Sequence, residues 1–444
     1  MKHINKYLGV AVTLLALSAC QQTPVVNEQP VEILPQEAVE QPIVVPETAI
    51  AKKALLPHEH KDVWQRIRSQ LSIEVPDNDE VAKWRDYYLS HPKFMVTIAQ
   101  RAEPFLYYIV EEIERREMPV ELALLPIVES SYLPGGVSHK SAVGLWQFMT
   151  VSARRFDIKQ NWWYDGRRDI VESTRGALDY FEFFHDTFDE DWLNAIAAFN
   201  SGEGRVGRAI RRNKKAGLPT DFWSLKLPKE TTNFVPKLLA ISDILMHADQ
   251  YNYTFTPIEN RPAVAIVDIN GQLDLTVAAD WADINSHTLR ELNPGLKRWA
   301  TDPDNTYQLL IPFESAEQFE QKLGEVDSKD WLRWHRFTVK SGDSLSEIGY
   351  RYGISVADIK KYNQLKSNLI RVGQSLAVPV AYHDGIPLER TKEGLTKLVH
   401  TVKRGDNLWN ISRKYNVKVK DIRKWNNLSR NSLLQPKQKL AILM

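Results

Sequence analysis

The C-terminal end of this 444-residue chain is written twice, and that repeat limits the possible fold more than any other feature. Laying Phe337–Pro379 over His400–Ile442 places Gly342 and Asp343 on Gly405 and Asp406, Leu345 on Leu408, Ile348 on Ile411 and Tyr352 on Tyr415. Val356, Ile359 and Asn363 fall on Val419, Ile422 and Asn426, and after one inserted residue Leu376 falls on Leu440. A stretch duplicated at this length is one supersecondary unit used twice. Each copy opens on a β-like triplet, Phe337-Thr338-Val339 or His400-Thr401-Val402. Two short amphipathic helices follow and an apolar run closes the copy. The expectation is a β-α-α-β unit of ~45 residues, once in 335–380 and once in 398–444.

The rest of the chain is too long for one ordinary core. From 61 to 250 its pattern is helical: Phe105, Ile109, Glu112, Ile113 and Arg116 recur at helical spacing, with charges on the far face. Met118-Pro119 ends that helix, a second apolar helix runs over Val120–Ser130, and Pro134-Gly135-Gly136 forces a turn. Further helices are expected near 172–188, 191–199, 203–213 and 233–248. Residues 251–334 change character and read as a linker region. Within it 263–267 looks like a strand, Ile311-Pro312 closes another, and the apolar positions of 273–312 echo the repeat. Whether that echo is a degenerate third copy stays open.

At the N-terminus Lys2 and Lys6 precede an almost wholly apolar run, Tyr7–Leu17. The run is too short to span a bilayer, which takes ~20 residues, and it fits the apolar part of an export signal over 1–19. Residues 20–60 are rich in Pro and Glu and read as an extended, disordered tether. His58-Glu59-His60 at its end supplies too few ligands for a metal site. Lys plus Arg number 57 against 56 Asp plus Glu, so no basic excess points to nucleic acid. The single cysteine, Cys20, excludes an internal disulfide and a zinc ribbon. No metal and no organic cofactor is implied.

The twin units resemble LysM domains. The resemblance implies binding to N-acetylglucosamine-containing glycans, in a groove between the loop after the first strand and the loop after the second helix. Here those loops carry Gly342, Asp343, Ser344 and Asn363 in one unit, and Gly405, Asp406, Asn407 and Asn426 in the other. The second unit departs from the pattern where Pro436-Lys437 replaces Val372-Gly373, which puts its closing turn in question. Leu17-Ser18-Ala19-Cys20 resembles a bacterial lipobox, which implies cleavage before Cys20 and lipid attachment there. Gln21, which is not Asp, points under the usual sorting rule to the outer membrane.

Glu129 follows Leu122, Leu124, Leu125, Ile127 and Val128, so one carboxyl emerges from an apolar stretch. Burial disfavours its charged form, and glycosidic cleavage needs an acid that is still protonated near neutral pH. By itself a Glu at a helix end is more often a cap or an ion-pair partner. Companion strings change that reading: Gly144–Met149, Ala197–Val206 and Glu230–Pro236. With Val128–Ser131 they resemble, over about 105–245, the soluble-lytic-transglycosylase-like fold related to goose-type lysozyme. The whole chain resembles the membrane-bound lytic murein transglycosylases.

The resemblance implies a multidomain protein: an all-α lysozyme-like catalytic domain followed by two small β-α-α-β LysM domains. It implies that Glu129 is the catalytic acid and base, that peptidoglycan glycan strands are the substrate, and that 1,6-anhydro ends are the product. It implies substrate contacts from Ser138, Gln147, Met149, Phe199, Asn200, Glu230 and Phe234. Phe199 and Phe234 stand where tyrosine is common, and Trp146 where methionine is usual. Two other readings share these residues: a lysozyme-type hydrolase on the same fold, and a non-catalytic peptidoglycan-binding tether. No particular protein partner is indicated. Gly202–Gly207 fits a dinucleotide-binding spacing, but no strand precedes it, so that motif is rejected. The Arg and Lys residues of 205–215 read as a solvated helix face, while Trp162-Trp163-Tyr164 could stack on sugars or pack internally.

Overall fold

Amphipathic helices build the first domain around an apolar core. The computed structural model describes residues 55–443 apart from 384–385, 392–393, 416 and 430–431, so the export signal, Cys20 and most of the tether lie outside the described residues. Ten α-helices follow in order: α1 (Val63–Arg68), α2 (Asp79–Ser90), α3 (Pro92–Ala102), α4 (Leu106–Arg115), α5 (Leu125–Ser130), α6 (Thr150–Arg155), α7 (Ile170–Thr187), α8 (Trp192–Ser201), α9 (Glu203–Ala216) and α10 (Lys229–Met246). Helix α4 turns Leu106, Ile109, Val110 and Ile113 inward, one stripe at helical spacing. Helix α10 crosses the core and buries every residue from Phe234 to Leu245 except Lys237.

The expected single helix over Val120–Ser130 is two elements, a 3-10 turn over Val120–Leu124 and then α5. Pro126 is the reason. It has no N–H to give the carbonyl four residues back, so the α-helical ladder cannot run through it. The tether also ends earlier than residue 60. Pro57–Glu59 form a 3-10 turn, and the Asn260 amide donates to the carbonyls of His60 at 2.8 Å and Pro57 at 3.3 Å. The helical domain runs past 250 as well. Val63 N–H donates to the Ile258 carbonyl and Asn260 N–H to that of Lys61, both at 2.9 Å, so residues 256–260 close against α1. Trp64 Nε1–H adds a bond to the Thr256 carbonyl at 3.0 Å.

The next segment is a folded unit with its own core. Strand β1 (Val264–Asn270), helices α11 (Leu275–Trp281) and α12 (Ser286–Leu292), and strand β2 (Thr306–Pro312) form a β-α-α-β arrangement, followed by α13 (Ala316–Glu325). The strands pair antiparallel from Val264 with Pro312 to Asn270 with Thr306. Val267, Ile269, Leu289, Leu309, Ile311 and Phe319 pack inside. Trp163 and Tyr164 pack against this unit, on Trp299 and Tyr307 respectively. Trp162 stays partly exposed beneath the Arg298 guanidinium, 3.8 Å from its ring centre. Packing therefore accounts for two of these three aromatics.

Each sequence repeat forms the expected β-α-α-β unit. The first has β3 (Trp334–Thr338), α14 (Leu345–Tyr352), α15 (Val356–Tyr362) and β4 (Ser375–Pro379). Three two-residue strands, β5 (Tyr382–His383), β6 (Ile386–Pro387) and β7 (Glu389–Arg390), lead to the second unit. That unit has β8 (Thr396–Thr401), α16 (Leu408–Lys414), α17 (Val419–Trp425) and β9 (Lys439–Leu443). Equivalent residues fill both cores, including Ile348 and Ile411, Ile359 and Ile422, and Leu376 and Leu440. The closing turn survives the Pro436-Lys437 departure. Lys437 adopts φ 71° where Gly373 has φ 83°, and each donates its N–H to the matching strand carbonyl, Val402 at 2.7 Å and Val339 at 2.8 Å.

Candidate active site

Glu129 lies in the last turn of α5, and the chain reverses at once behind it. Ser131 and Tyr132 both take left-handed φ of 55°, a strained pair for residues with a Cβ. Three bonds hold the reversal. Tyr132 donates its hydroxyl to the Ala123 carbonyl at 2.7 Å. Arg101 donates to the Ser131 carbonyl at 3.1 Å. Ser130 Oγ–H donates to the Leu145 carbonyl at 2.8 Å, which ties α5 to the loop carrying Gln147. In that loop Gly144 has φ 90°, and a Cβ there would stand 1.7 Å from the Arg167 carbonyl oxygen, so only glycine fits.

The cleft beside Glu129 measures about 400 Å³. All eight residues named from sequence, Glu129, Ser138, Gln147, Met149, Phe199, Asn200, Glu230 and Phe234, line it. Ser138 Oγ accepts from Ala142 N–H at 3.0 Å, which leaves its own O–H available to a ligand. Gln147 spends an amide N–H on the Gly144 carbonyl at 2.7 Å. Asn200 Oδ1 accepts from the Thr231 hydroxyl at 2.9 Å and keeps its amide group for the cleft. Met149 is exposed, so it is wall and not core. Phe199 stacks on Phe181 with centroids 4.5 Å apart, and Phe234 is buried.

Glu129 stands apart electrostatically. Its carboxyl has no hydrogen bond or ion pair among the described residues. Burial, reinforced by the Glu230 charge and opposed by Lys237, pushes it up to about 8. Glu230 is instead engaged at the rim, 2.6 Å from Lys140 Nζ. The Glu129 carboxyl is thus set to remain a proton donor at neutral pH.

Sequence reasoning missed Tyr180 and Lys237, which also line the cleft. Tyr180 sits on a helix whose apolar spacing reads as core, and nothing in its string marks it. Its ring centre lies 5.7 Å from that of Phe199, so a phenol stands beside the position where tyrosine was expected. Lys237 was findable: Glu230, Phe234 and Lys237 are four and three residues apart, on one face of α10. Its ammonium lies 4.4 Å from the Trp84 ring centre.

In the repeats most named polar side chains turn to their own backbone. Asn363 donates to the Ile359 and Ala377 carbonyls at 2.9 and 2.8 Å and accepts from Ala377 N–H at 2.7 Å. Asn426 does the same with Ile422 and Ala441. Both amide hydrogens are used in tying the second helix to the closing strand. Asp343 and Asp406 accept backbone N–H groups within their turns, and Ser344 and Asn407 cap α14 and α16. Gly342 and Gly405 sit at φ 90° and 94°, open to solvent at the turn. The loops therefore offer chiefly backbone groups and the exposed Leu369, with Trp409 exposed beside them in the first turn of α16.

A helical cleft with one unpaired, proton-holding carboxyl, followed by small repeated units, fits a class of enzyme that cuts glycan strands. The class can be stated more closely. Residues 107–220 match the transglycosylase SLT domain family, residues 337–379 and 400–442 match LysM, and residues 263–328 match the LysM-like domain of lytic transglycosylase MltD. These matches define a lytic transglycosylase carrying LysM units. Membrane-bound lytic murein transglycosylase D of Escherichia coli K12 is 35% identical over 393 residues, covering 86% of each chain. The chain belongs to that family, the peptidoglycan lytic transglycosylases of the MltD type. A putative tributyltin chloride resistance protein of an Alteromonas species is 40% identical over 184 residues, 41% of this chain and 87% of its own. The structure of an inactive mutant of lytic transglycosylase Slt from Pseudomonas aeruginosa is 20% identical, covers 44% of this chain and 33% of its own, and aligns with TM-score 0.27. Among the described residues no helix is long and apolar enough to cross a membrane.

Proposed function

We propose that Glu129 carries both proton transfers in cleavage of the β-1,4 bond between N-acetylmuramic acid and N-acetylglucosamine. The protonated carboxyl gives its proton to the bond oxygen as the bond to the anomeric carbon breaks. The resulting carboxylate then takes the proton of the muramic acid 6-hydroxyl as that oxygen attacks the anomeric carbon. The 1,6-anhydro ring closes and Glu129 ends protonated, ready for the next bond. One carboxyl suffices because the nucleophile belongs to the substrate and is already positioned. A hydrolase would need a second carboxylate for water or for a covalent intermediate, and Glu230, the other carboxylate of the wall, is engaged with Lys140. The unpaired Glu129 carboxyl held near 8 is the observation that carries this reading.

Ser138, Gln147 and Asn200 are assigned to sugar hydroxyl and acetamido groups, with Met149, Phe199 and Phe234 as the apolar wall and Glu230 at the rim. The LysM units are assigned to holding glycan while the cleft cuts, through their exposed loops. The lipobox-like string supports lipid attachment at Cys20 and residence on the periplasmic face of the outer membrane, with residues 21–54 as tether. Multiple acyl chains anchor stably where one does not.

Mass spectrometry of sacculus digests with wild type and Glu129→Gln tests the central claim. The expected product ends are lighter by one water than reducing ends, and Glu129→Gln makes none while still sedimenting with sacculi. Reducing ends alone from the wild type would establish hydrolysis instead.

A further inference from the structure

A second cavity, of about 300 Å³, lies where the 264–325 unit meets the first LysM unit and the segment 381–396 that leads into the second, away from the cleft of Glu129. Its wall is strongly cationic: Arg290, Arg298, Arg351 and Arg390, with Lys297 at the edge, against the single carboxylate of Glu389. Arg351 is partly neutralised by Asp343 at 3.5 Å and Glu347 at 3.7 Å. Arg290, Arg298 and Arg390 form no ion pair among the described residues. Arg290 spends an N–H on the Arg298 carbonyl at 2.9 Å, and Arg298 spends its Nε–H on the Trp162 carbonyl at 3.1 Å. Arg290 and Arg298 are both pushed below the ordinary arginine range, by burial first. Arg390 adds to this in each case, and only Arg290 has an opposing carboxylate, Asp274. Like charges gathered this way are costly without an anion between them.

An independent observation points the same way. Trp299 is 6% exposed and lines this cavity, and its indole Nε1–H has no acceptor among the described residues. A buried indole donor normally finds a partner. Gly353 lies beside both the indole and Arg390. A Cβ at Gly353 would stand 3.7 Å from Trp299 Cδ1, the atom beside Nε1, and 3.8 and 3.9 Å from Arg390 Nε and Cζ. The indole edge and the Arg390 fork therefore converge over a glycine that leaves room between them. Tyr352 donates its hydroxyl to Glu389 at 3.1 Å, so one acceptor stands opposite the cations.

We infer that this junction is a binding site for the carboxylate-bearing end of a short peptide of mixed charge. Arg290, Arg298, Arg390 and the Trp299 N–H receive the carboxylates, and Glu389 receives an amine. In a chain that acts on peptidoglycan such an end belongs to a peptide stem, an assignment that rests on the function proposed above. The arginine forks suit planar carboxylates bidentately. A stem seated here would hold a strand at the junction while the LysM loops hold its sugars.

The test is calorimetric titration of the full-length chain with three probes: stem tetrapeptide released from sacculi, the same peptide with its carboxylates amidated, and inorganic phosphate. The tetrapeptide is expected to bind and its amidated form not to bind. Arg390→Glu is expected to weaken binding about tenfold or more, since it removes a charge-assisted fork. Trp299→Phe removes the indole N–H while keeping an aromatic side chain and is expected to weaken binding about tenfold, the loss of one hydrogen bond to a charged group. Phosphate binding without tetrapeptide binding would overturn the peptide assignment, and so would unchanged affinity in both variants. Cleavage of sacculi is measured on the same preparations. Turnover without tetrapeptide binding removes this inference alone, whereas absence of turnover removes the proposed function.

Discussion

Ser130 Oγ lies 2.8 Å from the Leu145 carbonyl oxygen, and through that one bond the helix bearing Glu129 is joined to the loop bearing Gln147. Leu145 is fully buried, so its carbonyl has no recourse to water. Ser130→Ala is expected to cost about 1–3 kcal/mol, the penalty of a buried acceptor left unmade. Because Ser130 positions groups and does not meet substrate, kcat should fall while KM for short glycans changes little. A KM rise with kcat intact would contradict the positioning role.

The carboxyl of Glu129 leads to two pH predictions. As proton donor it must be protonated, so kcat/KM should be level at lower pH and fall as pH rises through about 8. Its folded-state value lies above the ordinary 4.5. Its contribution to stability is therefore complete below about pH 4.5 and is lost progressively as pH rises towards 8. Glu129→Gln has no such loss. Its melting temperature should match wild type at pH 4 and exceed it increasingly up to pH 8. A constant gap across that range would mean that Glu129 ionises like an exposed carboxyl.

Lys437 and Gly373 form a natural pair of opposite experiments. Lys437 holds a left-handed turn at a conformational cost that glycine avoids. Lys437→Gly should stabilise the second LysM unit by ~1 kcal/mol, and Gly373→Lys should destabilise the first by a similar amount. Hydrogen exchange of the turn amides reads both changes, and a loss of protection in Lys437→Gly would show that its side chain contributes more than its backbone strain removes.

Asn363 and Asn426 are expected to act through folding. Asn363→Ala removes both hydrogen bonds to Ala377, and exchange protection of β4 should drop before any change in the catalytic cleft is seen. Intact β4 protection with weakened glycan binding would mean that these residues meet glycan directly.

Deleting 335–444 should weaken sacculus binding far more than cleavage of short soluble glycans. Equal loss in both assays would mean that the LysM units support the catalytic domain instead of delivering substrate.

Much of this protein is legible in its residues taken in order. The duplicated pattern specified both small units, because each copy carries its own caps, turn glycines and core positions within one short window. The helices of the first domain followed from apolar spacing, and the strings around Glu129, Gln147, Asn200 and Phe234 named the wall of the cleft. Tertiary structure decided the rest. A carboxyl held near 8 depends on what surrounds Glu129 after folding, burial first and then the Glu230 charge opposed by Lys237, and no local pattern encodes that. Asn363 read as a sugar contact because its partners, Ile359 and Ala377, converge on it only when α15 docks on β4. Tyr180 read as core because a helix stripe does not say which of its residues ends at a cleft. In the second cavity Arg390 lies about a hundred residues beyond Arg290 and Arg298, so their shared positive charge exists only once separate parts of the chain have folded together.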